Sequence, residues 1–476
     1  MQTWIEAETK GADFGDKRLD QRYQMLLEQL SGKPSLSIPG ACHDLSGSTA
    51  AYRFCDNDKT SAAKVFEPHR VATLDRIRAH PVVIVAQDTT EIELTRRQER
   101  VGGPLNDESR WGLYAHPLLA LTPERVPLGV VSAKIWSRDP VEFAKSQKEK
   151  RKKRKASAIE DKESYRWLAG YHDACAVADA VPETTVVMVS DSEGDIYECL
   201  QAGMERSADF IVRACQDRAV LDEDFPHLMQ TLMCRVKLGT ITVDVSKRDA
   251  STGNDRKRQQ ARKARKAKLT IRSARVLLRG PNRPGGKLAN VEINVVWAKE
   301  ERPPAGEEPI EWVLLTNLPV ESFVKAKTVL DYYCCRWEIE VYFRVLKSGC
   351  RIEDLQFERQ DRYEVCLALY MIVAWRVLHL LMLGRTDPTL SCAAALTEAE
   401  WKSVYVIRKC EEPPAKPPSL AVLIPLIAEL GGYLNRKGDG PPGPKTMWIG
   451  LQRMRDYATA WTAFRPPGKR IRCVER

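Results

Sequence analysis

Apolar residues recur at three- and four-residue steps near the start of the chain, at Leu19, Tyr23, Leu26, Leu27 and Leu30. That spacing places them on one face of an α-helix, because such a helix turns once every ~3.6 residues. A loop rich in Ser, Gly and Pro follows, and a second helical stretch is predicted over residues 49–54. Residues 1–70 are therefore expected to form a helical domain.

Two short apolar runs, each closed by an aspartate, predict buried strands at residues 81–88 and 184–191. A helix is predicted from about residue 160 to 177. Further strand-like segments occupy residues 112–121, 126–135, 208–213 and 311–316. This succession of strands, helix and strands predicts a mixed α/β sheet.

The rest of the chain adds a β-rich insertion and more helices. Alternating apolar residues and a Gly/Pro turn indicate strands at about residues 215–305. Residues 324–347 read as one long helix, with Pro319 before it and Gly349 after it. The predicted division is a helical domain over residues 1–70, an α/β domain over 71–385 and a helical domain over 386–476.

Composition favours a globular protein of more than one domain, since the chain has 476 residues of which 43% are hydrophobic and 29% charged. The start shows no secretory signal pattern, so a cytoplasmic location is expected. Arg376 and His379 interrupt the longest apolar stretch, which predicts a buried helix and no membrane span. The thirteen cysteines lack C-x-x-C pairs and are expected to be reduced.

Positive charge is concentrated in two clusters, residues 148–155 and 256–268, which together exceed the net charge of +10. Each run could be a solvated loop or helix, and a nuclear localisation signal would look the same. Two such runs in one chain favour a polyanionic partner, and nucleic acid is the leading candidate.

Three carboxylates are candidates for chemistry. Asp88 and Asp191 each end an apolar strand, where ligands tend to bind in α/β sheets, although an Asp there is also a common turn or helix-cap residue. The third, Glu340, shares its predicted helix face with three further side chains. These are Tyr333, Arg336 and Lys347. That stripe could also be an ordinary surface ion pair with polar neighbours.

A set of three carboxylates suits two Mg²⁺ ions, because hard cations prefer oxygen ligands and a pair of ions can stabilise both the attacking and the leaving oxygen of a phosphodiester. Arg336 and Lys347 would then neutralise neighbouring phosphates. The sequence therefore predicts metal-dependent chemistry on a nucleic acid.

The segment from Tyr333 to Lys347 matches a Y-x2-R-x3-E-x6-K signature. With Asp88-Thr-Thr and Asp191-Ser-Glu-Gly-Asp195, it resembles the insertion-sequence-four family of bacterial DDE transposases, and in detail the transposon-five type. The resemblance extends to Gly15-Asp-Lys-Arg-Leu and Ala51-Tyr-Arg-Phe near the start, and to the region of Trp448.

The resemblance implies an RNase H-like catalytic core that carries the β-rich insertion and is flanked by two helical domains. The N-terminal domain would bind the terminal repeats of the element, and the C-terminal domain would dimerise. Asp88, Asp191 and Glu340 would be catalytic and hold Mg²⁺, which Mn²⁺ can replace. The family hydrolyses DNA, passes through a hairpin on the transposon end, and joins the 3′-hydroxyl to target DNA.

The same resemblance assigns DNA contacts. Tyr333, Arg336 and Lys347 would contact phosphates near the transposon end, and Arg213 resembles a further phosphate contact. Trp312 would stack on the base that hairpin formation extrudes, although a Trp in a strand can simply be core. Trp337 would assist it. The implied partners are double-stranded DNA and a second copy of the chain in a synaptic complex, in a bacterial cytoplasm beside the nucleoid and without a membrane.

Some features depart from the family. The second motif lacks the Arg that often follows its Asp, and Cys334-Cys335 replaces more typical residues. Other nearby carboxylates could be confused with the ligands, namely Glu193, Asp195 and Glu338. Two alternatives stay open: a catalytically silent, transposase-derived DNA-binding protein or repressor, and a general RNase H-like nuclease without end specificity.

Overall fold

The computed structural model describes residues 3–42, 44–95, 101–107, 109–245 and 262–464. The chain forms two compact units. Unit 1 contains residues 1–145 and 337–476, and unit 2 contains residues 146–336. The predicted boundaries at residues 70 and 385 stay predictions.

The helices, in chain order, are α1 (Trp4–Thr9), α2 (Lys17–Gly32), α3 (Ile38–Ala41), α4 (Leu45–Cys55), α5 (Ala62–Ile77), α6 (Pro140–Ala144), α7 (Gln147–Ala156), α8 (Tyr165–Ala180), α9 (Tyr197–Gly203), α10 (Leu228–Met233), α11 (Phe323–Cys334), α12 (Trp337–Arg344), α13 (Gln360–Thr386), α14 (Glu398–Lys409), α15 (Leu420–Leu430) and α16 (Pro444–Phe464). The strands are β1 (Val82–Gln87), β2 (Thr90–Glu93), β3 (Gly103–Pro104), β4 (Trp111–Leu121), β5 (Pro127–Trp136), β6 (Thr185–Ser190), β7 (Asp209–Arg213), β8 (Gly239–Val245), β9 (Arg265–Leu278), β10 (Asn282–Arg283), β11 (Gly286–Lys287), β12 (Val291–Glu300) and β13 (Glu311–Thr316).

The first helices of unit 1 are specified locally by their caps. The Thr3 hydroxyl and the Glu6 carboxylate form a capping box at α1, and Asp16 caps α2. The predicted apolar stripe of α2 is largely buried, and Tyr23 packs with Phe14 and Phe54 of α4. This aromatic cluster joins the early helices into one core.

Strand β4 is the centre of the unit 1 sheet, pairing antiparallel with β1, β2, β3 and β5. Helix α13 contacts α5 and β5. It is long and apolar enough to cross a membrane by length and composition, but 94% of its apolar window is buried in the structure. That burial is what the sequence predicted for this stretch and is typical of a core helix.

The unit 2 sheet has the order β6-β7-β13-β12-β9-β8. Strands β6 and β7 are parallel, and the remaining neighbours are antiparallel. The mixed α/β prediction is therefore confirmed. Strands β8 to β12 lie in the segment that was predicted to be a β-rich insertion.

The prediction of a single helix over residues 324–347 was wrong. Helix α11 ends at Cys334, because the N–H groups of Cys335 and Arg336 donate to carbonyls three residues back, on Tyr332 and Tyr333. Helix α12 begins at Trp337 and passes into a π-helical turn, in which the Cys350 N–H donates to the Val345 carbonyl.

The break changes the predicted stripe. A rotation of ~100° per residue holds only along one regular helix. Tyr333 is on α11 and Glu340 on α12, while Lys347 lies in the π-helical turn Val345–Gly349. Helical spacing therefore does not place these side chains on one face.

The two basic clusters differ in what can be described. Residues 148–155 lie on α7, a helix without buried residues. The first six residues of the cluster at 256–268 lie outside the described residues, and its last four begin β9. The twelve cysteines that the structure describes are free thiols.

Candidate functional site

In unit 2, two parallel strands carry Asp191 and Arg213 to the same edge. The register pairs Ser190 of β6 with Val212 of β7, so the next residues along each strand are Asp191 and Arg213. Asp191 caps the short 3₁₀ turn Ser192–Gly194, and its Oδ1 accepts the N–H of Glu193 at 2.9 Å. The cap anchors the carboxylate at the strand end.

Strand β13 and helix α11 complete this group. Arg213 lies opposite Leu314 of β13, two residues from Trp312. The Trp312 ring is 6.2 Å from the Tyr333 ring, centroid to centroid, at an angle of 60°. Trp312 is half-buried and Arg213 is exposed, so both side chains are accessible to a ligand of unit 2.

Tyr333 lies at the centre of the group and is 6% exposed. Burial raises the pKa of its phenol above the ordinary value of 10.0. The positive charges of Arg336 and Arg213 and a hydrogen bond with Arg213 oppose that rise, whereas the charge of Asp191 adds to it. The phenol is thus a hydroxyl that feels the charges of two guanidinium groups and a carboxylate, and a hydroxyl beside guanidinium groups is suited to holding phosphate oxygens.

In unit 1, Asp88 follows strand β1 and is 9% exposed. Its Oδ1 accepts the N–H of Thr89 at 2.7 Å. The buried ring of His116 in β4 lies 2.9 Å from the Thr89 hydroxyl through Nδ1 and 3.0 Å from the Gln87 Oε1 through Nε2. The two neighbours of Asp88 are therefore clamped by one imidazole.

His116 is a functional candidate that the sequence reasoning missed. It lies in the middle of a strand that reads simply as a buried apolar run. Only the pairing of Gln87 with Leu118 in the β1–β4 ladder brings His116 beside Asp88. The neighbouring polar residues Gln87 and Thr89 were the available signal.

Helix α12 contacts β1 and carries Glu340, which is half-buried. Trp337, at the start of α12, is 56% exposed. Lys347, in the π-helical turn, donates from Nζ to the Glu91 carbonyl at 2.9 Å and pairs with Glu353 at 3.0 Å. A phosphate at Lys347 would compete with Glu353 for the ammonium group.

The three nearby carboxylates that could be confused with ligands have other partners. Asp195 is buried and pairs with Arg218, while its Oδ2 accepts the Cys215 N–H at 2.9 Å. Glu193 pairs with Arg166 at 2.8 Å.

Glu338 is the third of these carboxylates, and it lies in unit 1. Glu338 is buried, and its Oε1 lies 3.9 Å from Nη1 of Arg125. Burial raises the pKa of Glu338 above its ordinary value, against the charges of Arg125 and Arg385.

The predicted residues therefore fall into two groups. Unit 2 brings together Asp191, Arg213, Trp312, Tyr333 and Arg336. Unit 1 holds Asp88, Trp337, Glu340 and Lys347. Among the residues that the structure describes, no group of three or more His, Cys, Asp or Glu side chains is placed to hold a metal ion. The metal site stays a prediction.

Three families of transposase domains match the chain, and together they cover most of its length. A transposase DNA-binding family matches residues 1–60, and a transposase DDE domain family matches residues 171–375. The second match includes Asp191 and Glu340 and begins after Asp88. The transposase Tn5 dimerisation domain matches residues 372–463.

A solved structure described as a piggyBac transposase synaptic complex with hairpin DNA is also similar, at 8% identity and a TM-score of 0.34. The match covers 90% of this chain and 62% of that chain, so the chain spans less than two thirds of its length. The three family matches follow one another along the chain in the order transposase DNA-binding, transposase DDE and transposase Tn5 dimerisation domain.

Proposed function

We propose that this protein is a DNA transposase that binds the terminal inverted repeats of an insertion sequence, excises the element and joins its 3′ ends to target DNA. The observation that carries the proposal is the group around Tyr333: Asp191 and Arg213 follow paired positions of two parallel strands, and the Tyr333 ring lies 6.2 Å from that of the half-buried Trp312. The charges of Arg213, Arg336 and Asp191 all act on the pKa of the Tyr333 phenol. The order of the three transposase domain matches supports the same function.

The catalytic core is proposed to be RNase H-like, of the insertion-sequence-four type, with the Y-R-E-K signature at Tyr333, Arg336, Glu340 and Lys347. The parallel pair β6–β7, with Asp191 at its carboxyl end, supports this fold. The strands β8 to β12 between Asp191 and Glu340 would be the family's insertion.

Asp88, Asp191 and Glu340 would hold two Mg²⁺ ions, or Mn²⁺ in their place. The donor set fits, because it consists only of carboxylate oxygens, which hard divalent cations prefer. Bound there, the ions would supply Lewis-acid stabilisation of the attacking and leaving oxygens. The backbone hydrogen bonds at Asp88 and Asp191 fix the directions of those two carboxylates.

The chain's own residues would position the DNA for successive displacements at phosphorus. In the first, a water oxygen bonds to phosphorus, the bond to the 3′ oxygen breaks, and the proton passes to that oxygen. The new 3′-hydroxyl then attacks a phosphorus of the opposite strand to form the hairpin, and the 3′ oxygen of the flanking DNA leaves with the proton. Water attacks the same phosphorus and releases the transposon 3′-hydroxyl again. That hydroxyl attacks a phosphorus of target DNA, whose own 3′ oxygen leaves with the proton. Arg213, Arg336 and Lys347 would neutralise the phosphates, and the Tyr333 hydroxyl would donate to one.

Trp312 would accept the base extruded at the hairpin, with Trp337 assisting. Extrusion costs a few kcal/mol, and stacking of the base on an aromatic ring offsets this cost by ~1–3 kcal/mol. Trp312 is suited to this role because its ring is held near Tyr333 and is only half-buried. The protein would act as a homodimer in a synaptic complex, in the bacterial cytoplasm beside the nucleoid.

The proposal is tested by incubating the chain with Mg²⁺ and a DNA fragment that carries the element's terminal repeat. Asp88→Ala, Asp191→Ala and Glu340→Ala should each abolish cleavage and leave end binding intact. Glu193→Ala is the matched control, because this exposed neighbour of Asp191 pairs with Arg166 and should leave cleavage unchanged. Full cleavage by any of the three variants would refute its assignment.

The same assay separates the other functions. End binding without cleavage by the natural chain would support the silent DNA-binding protein, and cutting without end preference would support a general nuclease.

The role of Trp312 needs a separate measurement. Trp312→Ala should slow hairpin formation more than first-strand nicking, and Trp312→Phe should restore part of the hairpin rate because it keeps an aromatic face. Equal slowing of nicking and hairpin formation, or no rescue by Phe, would contradict base stacking at this position.

A further inference from the structure

Helix α7 is a strongly charged surface that the function proposed above does not use. Its ten residues include seven Lys or Arg and one acidic residue, Glu149. No residue of the helix is buried. A helix that is polar on every side has no apolar stripe with which to pack against a protein core.

The ends of α7 are specified by its own sequence. Ser146 and Glu149 form a capping box at the start, and Lys153, Arg154 and Lys155 lie in the last turn. Acidic residues at the start of a helix and basic residues at its end stabilise the helix, because their charges are opposite to the partial charges of the helix dipole at those ends. The helix is therefore encoded locally, without the packing that specifies α8 or α13.

Four of the cations form one stripe. They are Lys148, Arg151, Lys152 and Lys155, at positions i, i+3, i+4 and i+7 of the helix, and all four are exposed. Like charges at these spacings repel one another and weaken an isolated helix. A ligand with regularly spaced negative charge along the helix would replace that repulsion with attraction.

Over the length of the helix, duplex DNA presents more phosphate charges than the stripe has cations. A ten-residue helix is ~15 Å long at ~1.5 Å per residue, and a duplex carries one negative charge per ~1.7 Å. A Lys-rich stripe binds phosphates as point charges, whereas base reading favours planar side chains that make paired hydrogen bonds.

We propose that the α7 stripe binds the phosphate backbone of duplex DNA independently of sequence, and that this duplex is the target into which the element is joined. The assignment to target DNA rests on the function proposed above, whereas the contact with duplex DNA does not. Arg265, a cation of the other basic cluster, is paired with Glu300 of its own sheet. The four cations of the α7 stripe lie instead on a helix without buried residues, which suits them to an external ligand.

The test measures binding to a short duplex without terminal repeats, from 50 to 200 mM salt. The variant K148Q/R151Q/K152Q/K155Q removes the stripe and keeps residues with high helix propensity. Losing four phosphate contacts should make the slope of log K against log salt shallower by about 3 to 4. The natural chain should bind the duplex more tightly than the variant, and the ratio of the two binding constants should fall about 100-fold from 50 to 200 mM salt.

The matched control is K409Q/K416Q/R436Q/K437Q, which removes the same residue types from four exposed positions in the C-terminal region. It should keep the slope of the natural chain. Equal slopes for the stripe variant and the natural chain would overturn the proposal. So would a loss of binding confined to duplex RNA of the same length, because the assignment is to DNA.

A second arm addresses the target. With end DNA already cut, the stripe variant should join it to a target duplex at least about 10-fold more slowly at 200 mM salt, while cleavage of the end stays unchanged. Equal joining would overturn the target assignment. If the natural chain fails to cut end DNA, the proposed function fails, and the salt slope still tests the contact of α7 with DNA.

Discussion

Glu8 lies in a buried polar network of unit 1, and its replacement by Gln tests how the N-terminal helix is held. The side chain is 1% exposed and bonds to His69 Nδ1 and to the Arg76 guanidinium, which joins α1 to α5. His69 Nε2 accepts the Val130 N–H at 3.0 Å, so the imidazole proton is on Nδ1. Glu8 therefore accepts from a neutral ring and a cation.

The size of the effect follows from the pKa of Glu8. Burial alone would raise it, but the charges and hydrogen bonds of His69 and Arg76 outweigh burial and lower it from 4.5 to about 2. The full lowering includes the charge of a protonated His69, but at pH 7 the ring is neutral and the charge contribution comes from Arg76 alone. At ~1.4 kcal/mol per pKa unit, ionised Glu8 therefore contributes on the order of 2 kcal/mol to the free energy of unfolding at pH 7.

Glu8→Gln should remove on the order of 2 kcal/mol at pH 7, less than the ~3–5 kcal/mol expected for a fully buried ion pair, because Arg76 is only partly buried. A lowered carboxyl pKa stabilises fully above pH 4.5, and that contribution disappears as the pH falls toward 2. The free energies of unfolding of the natural chain and the variant should thus differ by a constant amount from pH 7 to 5 and by less at pH 3.5.

Urea unfolding followed by tryptophan fluorescence measures this difference, because the Trp375 ring lies 4.8 Å from the His69 ring. The matched control is Glu67→Gln, which breaks an exposed pair with Arg70 and should cost less than ~1 kcal/mol. Unfolding of Glu8→Gln at the urea concentration of the natural chain, or a difference that does not change with pH, would refute the reasoning.

Three further predictions concern other buried groups. Asp195→Asn should destabilise unit 2 by ~3–5 kcal/mol in urea unfolding, because it leaves the Arg218 guanidinium without its buried carboxylate; an unchanged midpoint would contradict this. Glu338→Gln should raise the melting temperature at pH 8, since a raised carboxyl pKa means that stability falls as the pH rises above 4.5; a lower melting temperature would show that the ionised form is favourable. Gly129→Ala should cost ~1–3 kcal/mol by thermal unfolding, because its Cβ would lie 1.9 Å from the buried Thr73 hydroxyl; a neutral result would mean that β5 shifts freely.

The strands that carry the aspartates were predictable because each is a short apolar run that ends at a carboxylate. Strand β1 spans Val82–Gln87 and β6 spans Thr185–Ser190, within a residue or so of the predicted bounds. The signal is local, since every residue of β1 and of β6 after the first is buried. Hydrophobic pattern alone therefore located two of the three candidate carboxylates.

The break between α11 and α12 was not predictable in the same way. Residues 334–337 contain neither Gly nor Pro, so the sequence carries no helix-breaking signal there. The division between the two units falls at this point, after Arg336. Tertiary structure thus overrides a continuous helical pattern, and it likewise determines the His116 clamp, which depends on pairing across β1 and β4.

The groups to which the candidate carboxylates bind distinguish them better than their positions in the sequence do. Asp195, only four residues after Asp191, is buried against a guanidinium, and a carboxylate so paired has its charge already compensated. Asp88 and Asp191 each have an oxygen that accepts a main-chain N–H group, of Thr89 and Glu193 respectively, which orients that oxygen. A main-chain anchor fixes the direction of an oxygen without using a second side chain, which suits these two strand-end carboxylates to the proposed role of ligands to a divalent cation.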